Sequence, residues 1–226
     1  MGTMIQAKMS TWWTIMRIAL EERLVYRGDF ALGTLMRFLP IITQVFLWGA
    51  VFESVKHVSG GDRVAGYTYQ NMVAYYLLTM ISRAFSSMPG LASGVSSQIR
   101  NGEIKKFLIQ PVDLIGFMLL NRIAHKLVYY VVAIFPFAAV FWLCNEFFAD
   151  WPAGKLVDAG WSSADIMLVY VSSLLLGFLL GFFLEICIGL IGFWFLEVTS
   201  LLFVYMLLNF FLSGHMFPLD MLPPWA

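Results

Sequence analysis

Long apolar runs alternate with short polar stretches along the chain, and this pattern predicts a helical membrane domain. A membrane-spanning helix needs about 20 predominantly apolar residues, with a range of about 17–25. The stretches between the runs carry charged residues, glycine and proline. We therefore predict an all-α, polytopic transmembrane fold with five spans, over residues 30–52, 67–88, 114–143, 166–196 and 199–213.

The last two spans come from one almost unbroken apolar run, Ile166–Leu212. Only Glu185 and Glu197 are charged within it. At about 1.5 Å per residue, a straight helix of this length would be more than twice as long as a hydrocarbon core of about 30 Å. The run must therefore fold as two helices, and its least apolar part, Glu197–Ser200, is the expected position of the turn.

The N-terminal segment, residues 1–28, has a different pattern. No apolar core with a small-residue cleavage site precedes residue 30, so a cleavable signal is not expected. Apolar residues recur at steps of three and four, which predicts an amphipathic helix lying on the membrane surface. The apolar stripe consists of Ile5, Met9, Trp12, Met16, Leu20 and Leu24.

Composition and charge support the membrane location and give an orientation. Hydrophobic residues make up 60% of the 226 residues and charged residues only 12%, whereas a soluble domain has about 25% charged residues. With a cytoplasmic N-terminus, eleven of the 14 lysines and arginines lie on the cytoplasmic side. Because cytoplasmic loops carry an excess of these residues, we expect a multi-pass protein whose N-terminus is cytoplasmic.

Motifs for catalysis and cofactor binding are not found in the sequence. A phosphate-binding loop needs GxxxxGK[ST], and the nearest match, Ala153–Leu156, lacks the first glycine and the hydroxyl residue. There is no HExxH motif, the three histidines are widely separated, and Cys144 and Cys187 form no metal-ligand spacing. We expect the chain itself to be non-enzymatic, without a cofactor, a metal or a nucleic-acid partner.

Two charged residues inside predicted spans are candidates for a pathway or for pairing between helices. Ionisable side chains are costly in a bilayer and often functional there. Arg83 lies near the cytoplasmic end of its span, where a long side chain can reach the interface. Glu185 is a lone carboxylate, which favours helix pairing or a lining role over a proton relay. The span that contains Glu185 also contains four glycines that could form a packing seam between helices: Gly177, Gly181, Gly189 and Gly192.

The polar interval at residues 96–111 predicts a short amphipathic helix on the cytoplasmic surface. Ile104, Phe107 and Leu108 fall on one helical face, away from two neighbouring lysines. The helix is expected to end at Gln110, because the residue before a proline is biased away from helical geometry. Its apolar face needs a partner, either lipid or protein.

The C-terminal segment, residues 214–226, combines apolar residues with helix-breaking prolines. Pro218, Pro223 and Pro224 prevent a continuous helix, while the apolar side chains between them favour a dry environment. A re-entrant element on the outer face, sheltered by protein, satisfies both demands. An interfacial loop is the alternative.

Two motifs resemble those of a known family, the membrane-spanning permease subunits of type 2 ABC transporters (ABC-2), in a bacterial branch. "IRNGEIKKFLIQPVDLIGF" is similar to the family's cytoplasmic segment, which has an Ile-Arg-x-Gly opening, a short apolar run and Pro-Val. "SGHMFPLDMLPPWA" is similar to its outer element. The family is expected to have a sixth span beyond the five visible here.

The resemblance implies specific roles and partners. A separate ABC ATP-binding subunit would dock on a coupling helix, and two permease subunits, identical or related, would form the pathway across a bacterial inner membrane. The outer element would help to close that pathway. The residues that match the coupling segment are Ile99, Arg100, Gly102, Glu103, Ile104, Phe107 and Leu108, and those that match the outer element are Phe217, Pro218, Asp220 and Pro223.

The expected function is therefore that of a non-enzymatic permease subunit that exports a substrate by alternating access, driven by a partner ATPase. The alternative is a subunit of a secondary transporter or channel, for which paired intramembrane carboxylates or inverted repeats would be expected. A membrane-bound enzyme would need convergent polar residues at one depth.

Overall fold

The computed structural model describes residues 2–25, 32, 36, 38–109, 112–148, 160–195 and 198–222. Within these ranges the fold is helical apart from one small hairpin. The helices are α1 (Gly2–Val25), α2 (Leu39–Ser59), α3 (Tyr69–Ser86), α4 (Leu91–Arg100), α5 (Lys105–Ile109), α6 (Leu114–Leu143), α7 (Ser163–Leu190) and α8 (Thr199–Leu212); the strands are β1 (Arg63–Val64) and β2 (Tyr67–Thr68). Short 3-10 turns occupy Asn145–Phe148, Ile191–Phe193 and Leu219–Met221.

Among the described residues, two helical segments are long and apolar enough to cross a membrane, Leu114–Leu143 and Ser163–Phe193. Large apolar side chains on them are exposed, including Phe135 (79%) and Leu176 (67%). In water this exposure would be costly, so these surfaces are suited to lipid. The number of spans in the whole chain stays a prediction.

Helix α8 has nearly the bounds of the predicted fifth span, residues 199–213. It has 14 residues, which gives a length of about 21 Å, less than the hydrocarbon core of about 30 Å. The chain leaves helical geometry at Ser213, and Gly214 has a φ of +69°. A bilayer crossing by residues 199–213 stays a prediction.

Local capping explains where several helices begin. The Asp113 carboxylate accepts a hydrogen bond from the Gly116 N–H at 2.7 Å, at the start of α6. Ser162 and Asp165 form a capping box before α7. Such caps satisfy backbone donors that have no partner inside the helix, so these boundaries are encoded by residues next to them.

The region between the first two predicted spans is more ordered than the polar loop expected over residues 53–66. Helix α2 continues to Ser59 and ends at Gly60, whose φ of +64° suits a helix end. The strands β1 and β2 then pair antiparallel around a two-residue turn, in which Ala65 and Gly66 both have positive φ. Two positive φ values are the requirement of a tight hairpin turn. We call this part of the molecule the hairpin end.

The predicted second span, residues 67–88, corresponds to helix α3, and the helical chain is interrupted at its end. Helix α3 ends at Ser86, residues 87–90 are not helical, and α4 follows with Gly90 in a left-handed conformation (φ +73°). We call residues 87–90 the helix break. Pro89 lacks the backbone N–H that a continuous helix would need, so the interruption has a local cause.

The buried apolar residues that the structure describes form three clusters, and the two larger ones join the helices. One joins α2, α3 and α6, and the other joins α4, α6 and α7 across the helix break. The first contains Phe38, Ile41, Val73, Leu77, Ala84, Tyr129, Ala133 and Phe137; the second contains Met88, Leu91, Val95, Met118, Phe178, Phe182 and Ile186.

Helix α1 packs against α6. Trp12, Met16 and Leu20 of the predicted stripe are half-buried, and Ala19 is buried. Trp12 lies over Gly116, where an added Cβ would come within 2.8 Å of the indole. Part of the predicted apolar face therefore contacts protein, and the position of α1 relative to a bilayer stays a prediction.

Candidate functional site

The coupling segment is a tight connection between α4 and α5. Gly102 has a φ of +70°, its N–H donates to the Ile99 carbonyl at 3.0 Å, and the Glu103 N–H donates to the Gln98 carbonyl at 2.9 Å. This pair of bonds is a Schellman motif, which ends a helix at a residue in left-handed geometry. Gly102 is thus needed for the turn, and the direction of α5 relative to α4 is defined by backbone hydrogen bonds.

Phe107 does not face outward, contrary to the prediction that it is exposed for a partner. Its side chain is 9% exposed and packs against Phe117 of α6, with ring centroids 5.2 Å apart and the rings tilted by 56°. The sequence pattern correctly places Phe107 on an apolar face, but that face is covered by the protein's own α6. Ile99 likewise packs against the cluster that joins α4, α6 and α7, and Ile104 is half-buried.

The outward face of the segment is formed by other residues. Arg100, Glu103 and Lys106 are exposed, and Lys106 Nζ lies 3.8 Å from Glu103 Oε2. Ile109, which was not among the predicted site residues, is 84% exposed at the end of α5. The Leu108 side chain lies outside the described part of the structure. The segment therefore presents charge of both signs beside one exposed apolar side chain.

Helix α4 is held closely against α7. The Glu185 carboxylate accepts a hydrogen bond from the Ala92 N–H at 3.1 Å, so Glu185 caps the N-terminal end of α4 from a neighbouring helix. An added Cβ on Gly189 would come within 2.9 Å of the Ala92 carbonyl oxygen, so only glycine allows this approach. Of the two roles predicted for Glu185, the geometry supports helix pairing.

The opposite side of the helix break is held by two cations of α6. Lys126 is buried, and its Nζ donates to the carbonyl oxygens of Ala84 and Ser87, both at 2.6 Å. Arg122 Nη1 donates to the Pro89 carbonyl at 3.2 Å. Carbonyls in the last turn of a helix have no partner within the helix and carry partial negative charge. The Lys126 ammonium therefore suits the end of α3, as the Glu185 carboxylate suits the start of α4.

The C-terminal segment lies alongside α3. The Tyr75 hydroxyl donates to the Gly214 carbonyl at 2.5 Å, and the Tyr76 hydroxyl donates to the Met216 carbonyl. At the hairpin end, the Tyr67 hydroxyl donates to Asp220 Oδ2 at 3.0 Å. Burial, together with the Asp220 carboxylate, raises the pKa of Tyr67 above its ordinary value, so the hydroxyl keeps its proton at neutral pH.

These contacts place the start of the segment deep in the helix bundle. Tyr76 lies about 10 Å along α3 from the helix start, at about 1.5 Å per residue. The tyrosine hydroxyls satisfy backbone carbonyls that have no helical partner, which the predicted re-entrant element would need inside a bilayer. Among the predicted outer-element residues, Pro218 is fully buried, Phe217 is half-buried and Asp220 is exposed, while Pro223 lies outside the described residues.

Arg83 of α3 points toward the same segment. Its guanidinium carbon is 6.0 Å from the centroid of the Phe210 ring, and that ring is 5.6 Å from the ring of His215. Arg83 and His215 line a cavity of about 320 Å³, which also contacts α2 and the helix break. The two charged residues predicted inside spans therefore have different contacts: Arg83 lines this cavity, whereas Glu185 binds the start of α4.

Sequence reasoning missed Lys126 and Arg122 as structural residues of the break, because the pattern marks them only as cytoplasmic charges. The sequence does contain a sign that Lys126 is buried, because the helix continues as an apolar run directly after this residue. The tyrosine contacts to the C-terminal segment could not be found in the same way. They join residues about 140 positions apart, and nothing in the local sequence around a tyrosine in an apolar helix indicates so distant a partner.

The fold and these sites define a helical membrane protein with a broken helix that leads to an exposed polar connection at one end. Residues 38–225 match the sequence profile of the family described as ABC-2 family transporter protein. The chain belongs to this family, which makes it a membrane subunit of a transporter. The comparisons with curated proteins and with solved structures found no match.

Proposed function

We propose that the chain is the permease subunit of an ATP-driven exporter in a bacterial inner membrane, with its N-terminus in the cytoplasm. A separate ABC ATP-binding subunit docks on the coupling segment, and a second permease subunit completes the pathway. Family membership implies the ATP-binding partner. The positive-inside distribution of lysine and arginine supports the orientation.

The observation that carries the proposal is the construction of the coupling segment. The Schellman turn defines its backbone, and the packing of Phe107 against Phe117 anchors α5 on α6. A partner that pushes on the exposed residues would therefore move a firmly attached element rather than a loose loop.

The packing of α4 supplies a route from this segment into the membrane domain. Glu185 and the close approach at Gly189 join α4 to α7, so we expect these two helices to move as one body. The helix break then serves as the joint between this body and α3. In this proposal, a displacement at the coupling segment changes the angle at the break and so changes access to the interior.

The docking surface can be tested by co-expressing the chain with its ATP-binding subunit and measuring how much of that subunit co-purifies. Glu103→Lys and Ile109→Asp are expected to reduce co-purification strongly, because they alter exposed residues. Loss of the Glu103–Lys106 pair should change folding stability by at most about 1 kcal/mol, since exposed ion pairs contribute little.

Glu53→Lys is the matched control, because Glu53 is equally charged and exposed but lies near the hairpin end of α2. It should insert and co-purify as the unaltered chain does. Unchanged co-purification with both Glu103→Lys and Ile109→Asp would show that the ATP-binding subunit docks elsewhere. For the ion-coupled alternative, the Glu185 carboxylate offers little support, since it is engaged at the start of α4.

A further inference from the structure

The cavity beside Arg83 is enclosed by four parts of the fold. Pro40, Ile41 and Gln44 of α2 form one wall, and α3, α6 and the C-terminal segment form the others. Pro40 and Arg83 are both exposed, so the cavity is open on the side that they line. Its volume of about 320 Å³ is at the lower end of the range for small-molecule sites, about 300–1,000 Å³.

Two of the residues that line this cavity, Gln44 and His215, each have a polar atom without a described partner. Gln44 Oε1 and His215 Nδ1 are buried, and neither has a hydrogen-bond partner among the described residues. Arg83 makes no ion pair within the described part of the chain. Such groups are costly in a region without water, and a ligand that pairs with them would remove the cost.

The charges around the cavity determine the sign of the ligand. Arg83 lines it, and the ammonium of Lys126 binds the carbonyls of Ala84 and Ser87, two residues that also line it. Carboxylates are absent from its lining over the described residues. An amide and an imidazole can each present an N–H after rotation of the group or a change of tautomer, so Gln44 and His215 can add donors to the cation.

We propose that this cavity binds the anionic head group of an amphiphile, such as a phosphate or carboxylate, while its apolar chain lies against the lipid-facing surface. Arg83 would hold the anion, as guanidinium groups hold phosphate and carboxylate in other proteins. Apolar residues continue outward from the cavity wall, because Leu39, Ile42 and Phe46 of α2 are all more than half exposed. As a substrate site, the cavity rests on the transport function proposed above, whereas the binding itself does not.

The test measures ligand binding to the purified full chain in a non-ionic detergent, without ATP or an ATP-binding subunit. Dodecyl phosphate, dodecanol and inorganic phosphate are titrated separately, and bound ligand is counted by native mass spectrometry. Dodecyl phosphate should bind at least about tenfold more tightly than dodecanol, because a hydrogen bond to a charged group contributes about 1.5–3 kcal/mol and 1.4 kcal/mol corresponds to tenfold. It should also bind at least about tenfold more tightly than inorganic phosphate, because only the dodecyl chain can bury apolar surface against the protein.

Arg83→Met should weaken dodecyl phosphate binding by about tenfold or more, Arg83→Lys should retain most of it, and Arg63→Met is the control at the exposed hairpin. If Arg83→Met does not fold, Gln44→Leu decides, because it removes an unpaired buried atom and should weaken binding without destabilising the chain.

If dodecanol binds as tightly as dodecyl phosphate, the proposal that the site selects an anion is wrong. If inorganic phosphate binds as tightly as dodecyl phosphate, the proposal that the ligand is an amphiphile is wrong. Unchanged dodecyl phosphate binding by Arg83→Met would show that the ligand does not bind in this cavity. If Arg83→Met does not fold, unchanged binding by Gln44→Leu would show the same. Each of these failures leaves the co-purification of the ATP-binding subunit unaffected, so it is distinguishable from a failure of the proposed function.

Discussion

Replacing Lys126 by methionine is expected to destabilise the chain more than any exposed lysine would. Methionine keeps an unbranched side chain of similar length but removes the ammonium that binds the carbonyls of Ala84 and Ser87, both at 2.6 Å. Ala84 belongs to the last turn of α3, where carbonyls have no partner within the helix. Lys126 is only 7% exposed, so water would not readily replace the lost donors.

The size of the effect follows from these contacts. Leaving a buried acceptor unpaired costs about 1–3 kcal/mol, and two acceptors lose their partner. Removing a buried charge recovers part of this, since the ammonium no longer has to be desolvated. The expected net loss is about 2–4 kcal/mol, which for a chain of this size lowers the unfolding temperature by about 5–15 °C.

The assay is thermal unfolding of the purified chain in detergent, followed by its tryptophan fluorescence. Lys106→Met is the matched control, because Lys106 is half-exposed and makes only an i,i+3 pair with Glu103; its unfolding temperature should change little. Equal unfolding temperatures for the Lys126 and Lys106 variants would refute the argument that Lys126 holds the helix break.

Three further changes test other contacts. Gly214→Ala should destabilise the chain, because φ is +69° and the new Cβ would meet the Tyr75 hydroxyl at 2.7 Å; an unchanged unfolding temperature would contradict this. Tyr67→Phe should lower the free energy of unfolding by about 0.5–1.5 kcal/mol. Burial and Asp220 raise the pKa of Tyr67 from 10.0, so this loss should stay constant from neutral pH up to about 10. The loss should disappear as Tyr67 ionises at higher pH. Phe107→Asp should impair folding itself, seen as loss of the monodisperse gel-filtration peak; normal folding with loss of the partner alone would restore the predicted exposed role.

The sequence was sufficient for features that depend on composition and on near neighbours. Hydropathy indicated a helical membrane protein, because an apolar helix surface is stable only next to lipid or protein. The α6 cap at Asp113 and the α7 capping box at Ser162 involve residues at most three positions apart. The Schellman turn after α4 also depends on local geometry, and the glycine that it requires is visible in the sequence.

The outcome for Phe107 shows where such reasoning stops. A helical pattern identifies an apolar face, but the pattern is the same whether the covering partner is another protein or the chain's own α6. Only the position of Phe117 relative to α5 decides between them. The exposed Ile109, in contrast, follows Phe107 by two positions and is therefore directed to a different side of α5.

The sequence by itself determined that this is a helical membrane protein of the ABC-2 type, with a polar connection near residue 100 and an unusual proline-rich segment near the end. Tertiary structure alone decided that Glu185 caps α4, that Lys126 holds the end of α3, and that the segment after Gly214 runs deep along α3. The physical reason is that charges and backbone groups in a bilayer must find partners inside the protein, and these partners lie far away in sequence.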